Sequence, residues 1–437
     1  MWCTMIKQKE NLTPRRRMPM TRYAIKAASL VFLLLMLLFL PDVKAQNGTS
    51  SPFSIFGIGE IETRDFGRTA GMGNVGIGFQ SENFLNRRNP AGLTGIDTLR
   101  FVFDVSAAIK FSEFLTKTKR NTATDFNFKN LAVGLRLTKR WTGSVGLSPY
   151  SNVGYRLKGP TQSIPGTNEY SAADFSGNGG VNKFFWANAY ELFRGFSLGV
   201  TSSYIFGNVI HNEDQGIISN KYTLNINKMY FDFGMQYSHW FGENTNITIG
   251  GIYGYESEMP IQRTQTISSY TGTEQKRLPD LKAYVPESYG AGFSITRNQK
   301  VAEWILAADY KYQNWSVDRA RHGSLAYTDS HIYSAGLQVT PFKGRAEVVR
   351  QLIRFQIGAC YNQSYLKVNG FQQDDISVSL GVGIPLINQT RTLSYVNIAV
   401  NVGESRTGER GGINERYVLL SVNLSLIERW LAKYQWQ

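Results

Sequence analysis

The chain has 437 residues, of which 42% are hydrophobic, and it carries a formal net charge of +14 with a negative mean hydropathy. This composition is too polar for a bundle of membrane-spanning helices. The 42 Gly and 23 Tyr instead suit closely paired β-strands with aromatic girdles.

The first 45 residues have the layout of an export signal. Arg15, Arg16 and Arg17 precede an apolar run over residues 27–40, and Val43-Lys44-Ala45 forms a small-residue cleavage signal. A membrane anchor is the alternative, but the run is shorter than the about 20 apolar residues that span a bilayer. We therefore predict a signal peptide over residues 1–45, a mature chain that starts at Gln46, and export to the outer membrane of a Gram-negative cell.

Removing residues 1–45 lowers the formal charge from +14 to +8, because that segment holds eight Lys or Arg and two Asp or Glu. The remaining positive charge either favours lipopolysaccharide or an acidic partner, or is the ordinary charge of a solvated lumen and its loops.

Residues 46–97 form a Gly-rich polar segment that ends in Asn89-Pro90-Ala91-Gly92-Leu93. Within it, residues 71–76 fit the pattern G-x-G-x-x-G, but a dinucleotide site needs a buried strand before the glycines and a helix after them. Neither is evident here. A polar segment ahead of a long series of strands predicts an N-terminal hatch, or plug, followed by a barrel.

From residue 98 to residue 427 the chain alternates apolar and polar side chains as half-buried strands do. Val396, Ile398, Val400 and Val402 share one face, and Asn397, Ala399 and Asn401 share the other. The same alternation recurs over residues 353–360 and 418–426. Residues 304–313 repeat it, and Cys360 falls on the lumen face. About fourteen such strands predict an all-β, antiparallel transmembrane β-barrel.

The connections between these strands favour a membrane barrel over a two-sheet sandwich. Short links near residues 139–142, 192–195 and 242–246 alternate with long polar links near residues 113–125 and 157–178. A barrel whose chain ends both lie in the periplasm has short turns on that side and long loops outside. Trp141, Trp240 and Trp304 lie beside predicted turns, and Trp315 is expected at the opposite rim.

Pro149 interrupts the third predicted strand, where a ladder N–H is lost. Two interpretations stay open at Ser148-Pro149-Tyr150. The strand either carries an ordinary bulge near a rim or bends inward and opens a gap in the wall.

No residue set argues for catalysis, and we predict a protein that is not an enzyme and takes no cofactor, metal ion or nucleic acid. Residues 195–199 match G-x-S-x-G inside a strand, without the sharp turn that exposes a nucleophile. The four histidines have no metal-ligand spacing. Cys360 is the single cysteine of the mature chain, so no internal disulfide forms.

The segment Gly67-Arg68-Thr69-Ala70-Gly71-Met72-Gly73, followed by Asn89-Pro90-Ala91-Gly92-Leu93, resembles the hatch of the FadL/TodX family of outer-membrane transporters for hydrophobic compounds. Residues 285–290, 304–315, 355–358 and 379–385 resemble its later strands. The resemblance implies a 14-stranded barrel with its lumen blocked by the hatch and a ligand released sideways near the third strand. The charged tail over residues 428–437 departs from the family, whose last strand ends the chain.

Two functions follow from these observations. The first is transport of a hydrophobic small molecule such as a long-chain fatty acid, with the hatch residues Asn89 to Gly92 next to the opening at Ser148 to Tyr150. Arg136 and Arg354 are candidate lumen contacts for a head group, although pairing with acidic neighbours across strands explains them too. The second is a PorV-type role as a partner-binding subunit of a secretion or outer-membrane assembly machine. An open porin is disfavoured because the hatch would obstruct diffusion.

Overall fold

A computed structural model describes residues 49–98, 100–163, 170–216, 218–315, 325–341, 352–387, 393–408 and 412–429. The described chain consists of strands and three short 3₁₀ turns, at Pro52–Ile55, Ala70–Met72 and Pro90–Gly95. No helix in these ranges is long and apolar enough to cross a membrane. The strands are β1 Glu60–Ile61, β2 Arg100–Leu115, β3 Arg120–Arg136, β4 Trp141–Ser163, β5 Tyr170–Phe193, β6 Phe196–Asp214, β7 Ile218–Phe241, β8 Thr245–Gly254, β9 Ser257–Ser269, β10 Gly272–Val285, β11 Glu287–Asn298, β12 Ala302–Asn314, β13 Leu325–Tyr327, β14 Ser330–Pro341, β15 Arg354–Val368, β16 Phe371–Ile387, β17 Leu393–Arg406 and β18 Asn414–Arg429.

The strands β2 to β18 form one antiparallel sheet that closes on itself. Each strand pairs with its neighbours in the chain, and the last strand returns to the first, with Asn414 opposite Leu115 and Arg429 opposite Arg100. Three strands of the wall are each interrupted and therefore consist of two labelled segments. These are β8 and β9, β10 and β11, and β13 and β14. Counted in this way, the described chain forms a closed barrel of 14 strands, and the predicted fold class is confirmed.

The faces predicted from the period-2 pattern are confirmed. Ile398, Val400 and Val402 are exposed on the outer surface, whereas Asn397 and Asn401 are buried toward the lumen. Cys360 is also buried there, as a free thiol. Apolar side chains outside and polar ones inside are the arrangement of a wall surrounded by lipid.

The long loops predicted from the sequence are wrong in length, because most of their polar residues belong to strands. Only residues 116–119 separate β2 from β3, and residues 270–271 separate β9 from β10. These polar segments continue the strands as paired hairpins, and a hairpin that extends beyond the lipid has no reason to be apolar.

The prediction for Trp315 is also wrong. This side chain is 5% exposed and stacks on Tyr365, with 4.3 Å between ring centroids, so it faces the interior rather than the outer rim. Trp141, Trp240 and Trp304 are 40–50% exposed beside the short turns, as expected for aromatic anchors.

The segment formed by residues 49–97, called the hatch segment below, lies against the inner face of the wall. Its upper end contacts β4, where the Ser54 hydroxyl donates to the carbonyl of Gly154 at 3.1 Å. Its lower end contacts β3, where Arg136 donates to the carbonyls of Thr94 and Ile96 at 2.9 Å each. In between, Met72 is fully buried against β14 and β15. The segment thus follows the lumen from one end toward the other.

Candidate ligand cavity and wall break

The wall is incomplete between β3 and β4. The two strands pair only from Leu131 opposite Leu147 to Arg136 opposite Thr142, next to the short turn that joins them. Above Leu147, β4 continues to pair with β5 while β3 continues to pair with β2. The ladder that seals the rest of the barrel therefore ends part of the way up this seam, and we call the opening the wall break.

The structure places Ser148, Pro149 and Tyr150 directly above the last pair of that ladder. The register between β4 and β5 shifts between Pro149 and Ser151, which marks a β-bulge. The bulge and the gap are thus parts of one deformation, because the strand that loses its N–H at a proline also separates from its neighbour.

The hatch segment enters the wall break as a short strand. Glu60 pairs with Asn152 and Ile61 with Ser151, and the next amide, that of Glu62, donates to the carbonyl of Tyr150 at 2.9 Å. The Glu62 carboxylate then reaches across to the Lys129 ammonium of β3 at 2.6 Å. The hatch segment therefore spans the opening, with backbone bonds on one side and an ion pair on the other.

A cavity of about 220 Å³ lies behind this opening. Its lining includes the three predicted gate residues, Ser148, Pro149 and Tyr150, together with Pro90 of the hatch motif. The lining is mixed, with apolar side chains such as Phe185, Ile205, Ile252 and Ile332 beside charged ones.

The charged side chains of the cavity were not singled out from the sequence, and three of them belong to widely separated strands of the wall. Lys183, Asp232 and Lys311 line it from β5, β7 and β12. Period-2 counting does place them on the lumen face. Which lumen charges share one cavity depends on the barrel's register, and a single strand carries no information on that.

A second, smaller cavity of about 120 Å³ lies beside the upper part of the hatch segment. Ion pairs line it, with Arg64 to Asp375 at 2.9 Å and Lys110 to Glu415 at 2.6 Å. Apolar side chains such as Phe66 and Leu419 share this lining, and the ion pairs fix the hatch segment to the wall.

The predicted hatch residues Asn89, Pro90, Ala91 and Gly92 lie below the cavity, pressed onto two glycines that face each other across β6 and β7. A side chain at either position would collide with Pro90, which explains why both Gly199 and Gly234 are glycine. The side-chain amide of Asn89 donates to the backbone carbonyls of Ile77 at 2.8 Å and Met235 at 3.0 Å. This motif therefore fixes the hatch turn against the wall by hydrogen bonds to backbone.

Asp309 of β12 makes the other strong attachment. Its carboxylate accepts hydrogen bonds from three consecutive hatch amides, those of Gly76 at 2.5 Å, Ile77 at 2.8 Å and Gly78 at 3.4 Å. The acid is 7% exposed. Consecutive N–H groups that converge on one anion form a nest, and bonds to a charged acceptor are stronger than neutral ones.

Arg136 and Arg354, the candidate head-group contacts, lie on the lumen side but outside the described lining of either cavity. Arg136 binds hatch carbonyls and pairs with Glu191 at 3.2 Å. The Arg354 guanidinium lies over the ring of Tyr395 at 3.4 Å. The ion pair of Arg136 fits the alternative explanation, in which a lumen cation pairs with an acidic neighbour across strands. The contact of Arg354 with a tyrosine ring fits a structural role.

Charges within the hatch segment are tuned by their partners. Burial raises the pKa of Glu62, but the Lys129 ammonium outweighs burial, so the net pKa lies below the usual value. The pKa of Asp65 also lies below its usual value, because the Arg87 and Arg88 guanidinium groups outweigh the effect of burial. Burial, reinforced by Arg354, lowers the pKa of Arg68 to about 9. The carboxylates Glu62 and Asp65 are thus held ionised as attachments of the hatch segment.

Within the described residues no group of His, Cys, Asp or Glu could hold a metal ion. The carboxylates identified above accept hydrogen bonds or pair with cations.

Comparison with known proteins identifies one family and one fold. The BamG family model matches residues 25–437. Among solved structures, the toluene transporter TbuX of Ralstonia pickettii aligns with a TM-score of 0.53 and 15% identity, over 83% of this chain and 97% of that chain. A FadL homologue of Pseudomonas aeruginosa aligns with a TM-score of 0.54 and 10% identity, over 86% of this chain and 99% of that chain. The Pseudomonas putida toluene transporter TodX aligns with a TM-score of 0.52 and 13% identity, over 84% of this chain and 99% of that chain. No curated protein sequence matches the chain. At these identities the likeness shows the fold, and the fold expected from the resemblance is confirmed.

Proposed function

The chain belongs to the BamG family, and we propose that this member is an outer-membrane transporter for hydrophobic small molecules that leave sideways through the wall break. The observation that carries the proposal is the coincidence of the break with a cavity. Ser148, Pro149 and Tyr150 belong to both, so a ligand in the cavity is next to the opening.

The height of the wall break suits release into lipid. By register, Leu131 lies opposite Val105 of β2, and Val105 lies opposite Leu424 of β18. Leu424 belongs to the apolar series over residues 418–426 that faces outward. A hydrophobic molecule that leaves at this level stays in apolar surroundings, which is worth about 0.8 kcal/mol for each CH₂ group.

Transport requires the hatch segment to move. The cavity of about 220 Å³ is smaller than the roughly 300–1,000 Å³ of typical ligand sites. Enlarging it means displacing the residues that line it from the hatch side, among them Arg88 and Pro90. The resting structure is thus a closed state, and the ion pair between Glu62 and Lys129 is one of the contacts that must break.

Uptake of labelled oleate tests the proposal, in a host that lacks its own transporter. We expect Pro149→Ala, or deletion of residues 86–92, to reduce uptake about tenfold or more, because each removes part of the gate. Pro385→Ala in β16 is the matched control, since it removes a strand proline that lines neither described cavity. Uptake that is unchanged in both gate variants would refute lateral release.

A second function, a partner-binding subunit of a secretion or outer-membrane assembly machine, is favoured by how the lumen is filled. An apolar cluster packs the upper lumen with members from β4 to β10, and Ile55 and Ile58 of the hatch segment pack against it. Its members are Val153, Tyr155, Val181, Ile205, Val209, Leu224, Ile226, Tyr230, Met259, Ile261 and Val285. Apart from Ile205, Tyr230 and Val285, which also line the cavity, this apolar surface is already packed and is not available to a ligand from outside.

Affinity purification from native membranes separates the two functions. A stoichiometric protein partner in the absence of oleate uptake would establish the second function. Recovery of bound lipid alone, identified by mass spectrometry, together with uptake would establish the first.

A further inference from the structure

Two neighbouring short turns of the barrel carry three cations. The turn from β3 to β4 holds Lys139 and Arg140, and the turn from β5 to β6 holds Arg194. The two turns are neighbours because β4 pairs with β5, and the Glu191 amide donates to the carbonyl of Arg140 at 2.8 Å. All three basic side chains are exposed. They therefore form one positively charged group at the end of the barrel that we assign to the periplasm.

The acid nearest to these cations in the sequence is already occupied. Glu191 is the single Asp or Glu among residues 136–141 and 190–197. Its carboxylate pairs with Arg136 at 3.2 Å and accepts a hydrogen bond from the Gly195 amide at 3.2 Å. None of the three cations takes part in an ion pair among the described residues. Their charges are thus available to an anion from outside the chain.

The turn after β3 is held in one conformation. The Leu137 amide donates to the carbonyl of Trp141 at 2.9 Å, and the Trp141 amide donates to the Thr138 hydroxyl at 3.0 Å. Arg136 also donates to the carbonyl of Lys139. Because the backbone is already ordered, a ligand that binds here needs to immobilise only the ends of the basic side chains.

Apolar side chains border the three cations. Leu137, Leu192 and Phe193 are 44–58% exposed. The Phe193 ring stacks on Phe196 with 4.9 Å between ring centroids, so it has a fixed position. Basic side chains next to exposed apolar ones are typical of the boundary between hydrocarbon and head groups. The three cations together with Leu137, Leu192 and Phe193 are called the basic rim patch below.

An anionic phospholipid matches both parts of the basic rim patch in one molecule. Its phosphate pairs with Lys or Arg, and its acyl chains cover apolar side chains. An acidic protein segment in water matches the cations alone and leaves Leu192 and Phe193 exposed. The arrangement of charge beside apolar surface therefore favours a lipid over an acidic protein.

We propose that the basic rim patch binds an anionic phospholipid of the periplasmic leaflet, with Lys139, Arg140 and Arg194 on its phosphate group. The acyl chains of that lipid extend from the rim toward the middle of the bilayer, along the lower part of the seam between β3 and β4. The lipid thus lies below the wall break on the same seam. The site goes beyond the proposed function and does not rest on it, because the patch lines neither described cavity.

Native mass spectrometry of the purified full-length protein tests the lipid site. The probes are dioleoyl phosphatidylglycerol, which is anionic, and dioleoyl phosphatidylcholine, which is neutral overall. We expect the wild type to bind phosphatidylglycerol about tenfold more tightly. In the triple variant Lys139→Gln/Arg140→Gln/Arg194→Gln this preference should fall to about twofold or less.

The matched control is Lys117→Gln/Lys119→Gln/Lys276→Gln. It also removes three exposed cations, but from the opposite end of the barrel. The preference for phosphatidylglycerol should stay as in the wild type. A preference that survives in the rim variant, or that falls equally in both triple variants, would overturn the proposal, because net charge rather than the patch would then attract the lipid.

Phe193→Ser separates a lipid from an acidic protein. It keeps all three cations and removes part of the apolar surface, so it should weaken the binding of phosphatidylglycerol about threefold or more and leave the binding of decaglutamate, an acidic peptide, unchanged. If decaglutamate binds the wild type and not the rim variant, while phosphatidylglycerol binds no better than phosphatidylcholine, the patch is a protein site and the proposal is wrong. None of these measurements depends on uptake, so failure of transport leaves the result intact.

Discussion

The carboxylate of Asp309 is expected to control how firmly the hatch segment is held. It accepts hydrogen bonds from the amides of Gly76, Ile77 and Gly78 in a buried site. A bond to a charged group contributes about 1.5–3 kcal/mol. The contact to Gly78 is long, so we take two effective bonds and expect Asp309→Asn to weaken hatch docking by about 3 kcal/mol. That corresponds to on the order of a hundredfold in the equilibrium between docked and released hatch.

Hydrogen exchange followed by mass spectrometry measures this equilibrium directly. Exchange of the hatch amides is expected to accelerate in Asp309→Asn by about two orders of magnitude, while strands of the wall exchange as before. Ser294→Ala is the graded control, because the Ser294 hydroxyl donates one neutral bond to the Gly78 carbonyl at 2.7 Å. Its loss is worth about 1 kcal/mol, or roughly fivefold. Hatch exchange that is the same in Asp309→Asn and the wild type would refute the view that this carboxylate anchors the segment.

Further predictions concern packing, pH and processing. Gly234→Leu places a side chain where Pro90 packs, so faster hatch exchange is expected with a wall that still folds. Gly143→Leu in β4 is the steric control for bulk, because an added Cβ there meets only ordinary van der Waals contacts. The folded pKa of Glu62 lies below its unfolded value, so the stability that it contributes is present at neutral pH and is lost as the pH falls through the folded value. Conductance of planar bilayers should therefore rise as the pH falls below the ordinary pKa of a glutamate carboxyl, and a rise of the same size in Glu62→Gln would contradict this assignment. Intact mass of the purified protein should match a chain that starts at Gln46, and a retained N-terminus would show that residues 1–45 are an anchor.

The barrel could be predicted from the sequence because lipid imposes a repeat of two on every strand. Residues such as Ile398 and Asn401 fall on opposite faces whatever the neighbouring strand is, so their alternation is a local property. The kink at Pro149 was predictable for a similar reason, since a missing N–H is visible in one residue.

The cavity could not be predicted in the same way. Lys183 and Lys311 both line it although they are 128 positions apart in the numbering, and their proximity depends on the register of every ladder between them. Trp315 shows the complementary error, because an aromatic residue at the end of a strand suits either a membrane rim or an interior stack. Only the path of the chain after β12 decides between these two environments.

The seam between β2 and β18 has a consequence for biogenesis. It joins residues 299 to 329 positions apart, so the ring closes only once β18 has reached β2. The hatch segment precedes every wall strand in translation order, yet its attachments are distributed around the finished ring. The hatch segment is therefore synthesised before the wall strands, but it can complete its set of attachments only after the ring has closed.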